Sequence, residues 1–182
     1  MSDFSTIQKT AEQMQEEFNR VASEFQEKMR SMFTDMTKSF FEAAPEIKAV
    51  VWNQYTPYFN DGEECVFSIG DLFFLKEFDP SDLMDAYNYE GTEYEFETDI
   101  TEDNLRRWKN LNNKFPHQTY SARISKIENL RKDPRNIELA SLCKSFHGVI
   151  KQNEDLMEAI FGDHVTVYLT PGKSFAEEYS HD

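Results

Sequence analysis

The chain has 182 residues, 39% of them hydrophobic with sixteen phenylalanines, and a formal charge of −15. That is enough for one domain, or one domain plus an appendage, with a substantial core. No apolar run approaches the length that spans a bilayer, and the first thirty residues are rich in Glu and Gln rather than basic and then apolar, so the sequence reads as a soluble, cytoplasmic protein with no membrane role. Two cysteines, Cys65 and Cys143, are too few for a disulfide framework and read as free buried thiols.

The charge is unevenly placed. Residues 61–103 hold fifteen acids and one base, whereas residues 104–151 hold eleven bases and three acids. These two sections either neutralise each other within one molecule or face outward to partners.

Taken in order, residues 5–44 read as one long helix, opened by Ser5 with Gln8 as a capping box and closed before Pro45. Phe4, Ile7, Ala11, Met14, Phe18, Val21 and Phe25 recur at alternating steps of three and four, a heptad seam. From Phe25 the spacing changes to Met29, Met32, Met36 and Phe40, which interrupts the heptad. The helix is therefore either an oligomerising coiled coil or a long helix laid across the molecule's own sheet. It sets a boundary between residues 1–45 and an α+β domain, residues 46–182.

Within that domain, residues 49–100 form an acidic β section. Val50 to Phe59 and Cys65 to Ile69 flank Asn60-Asp61-Gly62, a hairpin turn signal, and Pro57 requires the first strand to end near Thr56 or lie at an edge. Trp52, with Val50 and Gln54, shares one face, and Tyr55, with Val51 and Asn53, shares the other. A short buried strand, Leu72 to Leu75, follows, then a helical turn over 81–87 capped by Ser81. Thr92 to Ile100 reads as a strand with Glu93, Glu95 and Glu97 on a wet face and Tyr94, Phe96 and Thr98 on a packed one.

Residues 101–161 form a basic helical section. One helix starts at Thr101 and ends at Pro116, one carries Tyr120, Ile124, Ile127 and Leu130, one carries Ile137, Ala140, Cys143, Phe146 and Val149 or Ile150, and a short one ends at Gly162. Residues 164–179 alternate as a closing hairpin around Pro171-Gly172. The fold class is α+β: an antiparallel sheet covered by helices, with a long amphipathic, coiled-coil-like N-terminal helix.

Chemistry is sparse. Phosphate-binding, nucleophile-elbow and zinc-protease signatures are absent. Cys143 and His147 lie four apart on one helix but lack a second ligand pair, Glu46-Ile47-Lys48 lacks a suitable upstream acid for a nuclease metal site, and Asp61, Glu63 and Glu64 suit a solvated turn as well as a cation. No catalytic residue, metal or cofactor is expected. The bases Arg106, Arg107, Lys109 and Lys114 carry no nucleic-acid reading motif, and the charge of −15 opposes phosphates, so direct nucleic-acid binding is not expected.

At Trp52, Gln54, Tyr55, Thr56, Pro57, Phe59, Asn60, Asp61, Gly62, Cys65 and Phe67 the chain resembles uncharacterised proteins of tailed phages and bacteria that carry the pattern W-x-Q-Y-T-P-x-F-N-D-G-x-x-C-x-F. Its ending, Glu177-Glu178-Tyr179-Ser180-His181-Asp182, is similar to theirs. The resemblance implies a phage-type accessory protein and brings no catalytic residue with it. The expected function is non-enzymatic binding: an acidic face at Glu93, Glu95 and Glu97 that inhibits or sequesters a host protein with a basic surface, in the host cytoplasm, by a homo-oligomer. The alternative is a nucleotide-like small-molecule ligand, or weak enzymatic activity, in a pocket beside Trp52, Tyr55, Asn60, Asp61 and Cys65, with His181 and Asp182 nearby.

Overall fold

A computed structural model describes residues 2–59, 62, 64–81, 83–90, 92, 95–115 and 120–178, and for residues 2–5 the backbone alone. Asn60, Asp61, Glu63, Asp82, Glu93, Tyr94, Pro116 and residues 179–182, together with the side chains of Phe4 and Ser5, lie outside the described part. The chain divides into two compact units, Met1–Thr37 and Lys38–Asp182.

The first unit is most of α1, a continuous helix over Ser2–Ala43. Ser5 therefore sits inside the first turns rather than at the cap. The helix stops at Ala43, because a residue preceding proline, here Ala44 before Pro45, is pushed out of helical geometry.

The second unit is built on an antiparallel sheet of β1 (Ala49–Tyr55), β2 (Ser68–Ile69), β3 (Phe73–Leu75), β4 (Val165–Leu169) and β5 (Ser174–Glu178). Its order is β2-β1-β4-β5, with β3 also paired to β1. The central strand β1 ends at Tyr55, two residues before Pro57, as the missing proline donor requires. The expected hairpin is present but its second strand is cut to Ser68–Ile69, paired with Tyr55 and Gln54. Cys65 to Phe67 do not join the ladder, since the backbone amide of Thr56 is drawn instead to the Asp163 carboxylate, 2.7 Å away.

β2 and β3 are one strand interrupted by a bulge. Gln54 faces Ile69 and Val51 faces Phe73, so three steps on β1 match four on its neighbour. Gly70 sits at that bulge, donating to the Asn53 carbonyl at 2.7 Å, and a Cβ there would come within 3.1 Å of the same oxygen. One face of the sheet presents Val50, Trp52, Ile69, Phe74, Val167 and Leu169 to helices; Phe40 in the last turns of α1 packs on Phe74 and Phe146, with ring centroids 5.9 and 4.3 Å away. The opposite face, with Ala49, Val51, Phe73, Leu75 and Tyr168, is covered by Ala86 and Tyr89 together with Phe78, Leu83, Met84 and Phe175. Both faces of β1 are thus buried, which explains its nearly continuous apolar run.

Two expected elements differ. The turn over 81–87 is a 3-10 turn at Ala86–Tyr89 capped by Asp85, while Ser81 donates to Asp79. Asp85 is the better cap because its Oδ1 accepts both the Tyr87 amide and the Asn53 side-chain amide, tying the turn to β1. Among the described residues of 92–100 there is only an isolated bridge, Leu75 to Glu95, with the Phe96 amide donating to Phe74 at 2.7 Å. Beyond Phe96 the chain leaves the sheet, because Ile100 is buried and its carbonyl accepts from Arg131 in the helical layer.

That layer comprises α2 (Glu102–Lys114), α3 (Ser121–Leu130), α4 (Pro134–Lys151) and α5 (Glu154–Phe161). Thr101 caps α2, Asp133 caps α4 with Pro134 in its first turn, and Gly162 ends α5 at φ 92, ψ −177, a conformation open essentially to glycine alone. On α4 the buried stripe is Leu139, Ala140, Cys143, Phe146 and Ile150; Ile137 and Val149 are exposed, which resolves the alternative at its end.

Arg135 at the start of α4 grips Glu46 in a two-pronged pair of 2.8 and 2.9 Å and also donates to the Ala43 carbonyl at 2.7 Å. Hydrogen bonding by Arg135 holds the Glu46 carboxyl down to about 2. A folded-state pKa below the ordinary glutamate value of roughly 4.3 means stability is present above that value and lost as pH falls from it through about 2. Since the pair is partly exposed, the contribution should not exceed about 1 kcal/mol. Glu46→Gln is expected to flatten the pH dependence of chemical unfolding between roughly pH 5 and pH 2 relative to wild type. Parallel curves for the two proteins would show that the pair contributes nothing.

Candidate interaction surfaces

The hairpin side chains that looked like pocket walls have structural work in the described part. Trp52 is 0% exposed, its Nε1 donates to Gln54 Oε1 at 3.0 Å, and its ring meets Phe161 edge-on with centroids 5.9 Å apart. Gln54, also 0% exposed, donates through Nε2 to the carbonyls of Met157, at 3.2 Å, and Gly162, at 2.5 Å. Together they latch the middle and the C-terminal end of α5 to the central strand. Asn53 links the other face, accepting from Thr166 Oγ1 at 2.8 Å and donating to Asp85 at 2.9 Å. Tyr55 is half-buried at the strand end, while Asn60, Asp61, His181 and Asp182 lie outside the described residues. Cys65 is half-buried and off the ladder, rather than a buried strand thiol. The loop outside the strand exposes Tyr58, Phe59 and Val66, with Tyr58 stacked on His164 at 4.6 Å.

The acidic run is only partly open to solvent. Glu93 lies outside the described residues, and Glu95 is half-buried at its bridge to Leu75. The Glu97 side chain is only 13% exposed, 3.5 Å from Arg123. Asp99 pairs with Lys144 at 2.8 Å and Glu102 with Arg131 at 2.5 Å. Acidic and basic sections therefore do neutralise each other along this seam, where the sequence left both outcomes open. Internal burial of one carboxylate is invisible to a two-residue period, because the cation that covers it comes from a helix far along the chain. Exposed carboxylates remain before the seam, at Asp71, Glu77, Asp79 and Glu90, and on β5 at Glu177 and Glu178.

On the helical side, Arg123 stacks over the Trp108 ring at 4.6 Å and Lys109 pairs with Glu128 at 2.6 Å, fastening α2 to α3. A hollow of about 330 Å³ runs along α2 past Arg106, Arg107 and Lys114, and a groove of about 470 Å³ lies between residues 98–102 and α4. Arg131 and Lys144, the cations lining that groove, bind Ile100, Glu102 and Asp99 of its own opposite wall. It is a charged seam of the fold. Burial pushes the Cys143 thiol up to about 12, and desolvation lowers the half-buried His147. Among the described residues no group of three His, Cys, Asp or Glu is placed to hold a metal ion, and no helix is long and apolar enough to cross a membrane.

The other surface is the heptad face of α1. Ile7, Met14, Phe18, Val21 and Phe25 are between 50% and 69% exposed, an apolar stripe over nineteen residues. Exposed apolar area of this continuity marks an interaction site. No protein-family model, no curated protein and no solved structure matches the chain.

Proposed function

We propose that this chain is a non-enzymatic binding protein that self-associates through the exposed face of α1 and offers the acidic side of its second unit to a basic protein surface. The observation carrying the binding reading is the charge left after internal pairing: Asp71, Glu77, Asp79 and Glu90 stand exposed in a section of the chain, residues 61–103, whose single base is Lys76. Such a field steers a cationic partner and speeds encounter. Self-association is supported by the uncovered stripe from Ile7 to Phe25. The hairpin resemblance to proteins of tailed phages favours an accessory factor that inhibits or sequesters a component of the host cell, a role compatible with a chain lacking a recognisable catalytic signature.

The test begins with partners captured from a host lysate on the intact protein, followed by kinetics on the recovered partner. Asp71→Asn with Glu77→Gln and Glu90→Gln should slow association and flatten its salt dependence as the Debye length falls from about 10 to about 3 Å. Glu93→Gln with Glu95→Gln should act in the same direction. Glu97→Gln, by contrast, should chiefly lower stability, since it strips Arg123 of its carboxylate. Wild-type on-rate and salt slope in the Asp71, Glu77 and Glu90 triple variant would overturn the acidic-surface reading.

A further inference from the structure

We infer that the heptad face of α1 is occupied by further copies of this chain, aligned in parallel, three or four to a bundle. This rests on the self-association reading and adds its orientation and number. In the heptad that places Ile7, Met14 and Val21 at d, the a positions are Ala11, Phe18 and Phe25. The flanking e positions are Gln8, Gln15 and Ala22, and the g positions are Thr10, Glu17 and Glu24.

The two flanks are chemically different. On the g side, Arg20 binds Glu17 at 2.5 Å and Glu24 at 2.6 Å, forming an ion triad along the helix. The e side is uncharged: Gln8 donates to Glu12 at 3.4 Å and Gln15 to Asn19 at 3.0 Å. Parallel copies set g against e of the neighbour, so Glu17 meets Ala22 and Thr10 meets Gln15, with no like charges opposed. Antiparallel copies set g against g. A register overlapping the whole stripe then confronts Glu17 with Glu17 of the other copy, which opposes association. A foreign helix with basic flanks would call for acids on both sides of the seam, and e offers none. The surface is complementary to itself in one direction.

The order follows from branching. Two-stranded parallel coils favour β-branched residues at a with leucine-like residues at d. Here the β-branched residues, Ile7 and Val21, are both at d, while a holds Ala11, Phe18 and Phe25. That is the distribution associated with three and four strands. Ala11 beside the large Met14 and Phe18 also gives layers of alternating size. Parallel order gathers the ends of the helices, from which each Lys38–Asp182 unit continues, at one end of the bundle. Several acidic surfaces on one particle would raise avidity for a repeated basic target.

Ile7→Cys and Val21→Cys, introduced separately into the full chain and gently oxidised, test orientation; sedimentation equilibrium of the wild type tests number. Parallel copies bring each new thiol to its counterpart at both positions, so both variants should form covalent dimers above the wild-type background from Cys65 and Cys143. The two positions are fourteen residues, roughly 21 Å, apart along the helix, so no single antiparallel register can bring both pairs within disulfide reach. If either substitution prevents assembly by mass, Met14→Cys replaces it. Cross-linking at both positions in particles of three or four chains supports the inference. Cross-linking at one position or neither in an assembled particle, or a particle of two chains, overturns it and leaves self-association standing. A single-chain particle overturns both.

Discussion

Replacing Gln54 with leucine should cost the second unit about 2–4 kcal/mol of unfolding free energy, although the substitution nearly preserves volume. Gln54 is fully buried and accepts from Trp52 Nε1; it also supplies the donor received by the Gly162 carbonyl. Without it the buried indole N–H loses that acceptor, and the C-terminal end of α5 loses this tie to β1. A buried donor left unpaired costs about 1–3 kcal/mol by itself, and the bonds from Gln54 to the Met157 and Gly162 carbonyls are lost with it. Gly162 cannot easily adjust, since its φ of 92 already fixes the reversal from α5 into β4. Chemical unfolding followed by tryptophan fluorescence should show a lower midpoint with an unchanged slope. A midpoint within about 0.5 kcal/mol of wild type would mean the latch is replaced by packing alone.

Phe18→Asp should have the largest effect on assembly. Phe18 lies at the middle of the stripe and is 68% exposed in the single chain. In a bundle, every copy would bring a carboxylate to the same layer, where desolvation and mutual repulsion combine. The expected result is a particle of one chain at micromolar concentration, with the unfolding midpoint of the Lys38–Asp182 unit unchanged. Circular dichroism should lose helix signal, because most of the stability of an amphipathic helix comes from packing of its apolar face. Glu16→Ala, on the opposite side, serves as the control and should leave the mass at the wild-type value. An assembly that survives Phe18→Asp would place the contact elsewhere.

Much of this architecture was readable from local chemistry. Pro45, Pro57, Thr101, Pro134 and Gly162 each act through their own backbone or the next few residues, and the elements begin or end beside them. The alternating run at 164–169 pairs locally with β5 across the turn at Pro171-Gly172, as well as with the distant β1. Failures came where a long-range contact decides. Cys65 to Phe67 alternates like a strand, yet Asp163 captures the neighbouring Thr56 amide. Thr92 to Ile100 alternates too, but Arg131, Arg123 and Lys144 draw its latter half into the helical layer. Ser81 satisfies the rule for a cap, whereas Asp85 reaches both a turn amide and Asn53. Of the residues first read as a binding surface, Trp52 is core, Glu97 is an internal ion pair, and Glu95 is held at a bridge. Gln54 gave one usable signal: an amide on the same strand face as Val50 and Trp52 must find partners inside.

The proposed function depends first on whether copies of the chain associate through α1. Sedimentation equilibrium of the intact protein over a hundredfold range of concentration measures this without assumptions about shape. A chain of 21.4 kDa should give particles of three or four times that mass, dissociating to one chain in the Phe18→Asp variant. A wild-type mass of one chain throughout the range, with helix content retained, would contradict it.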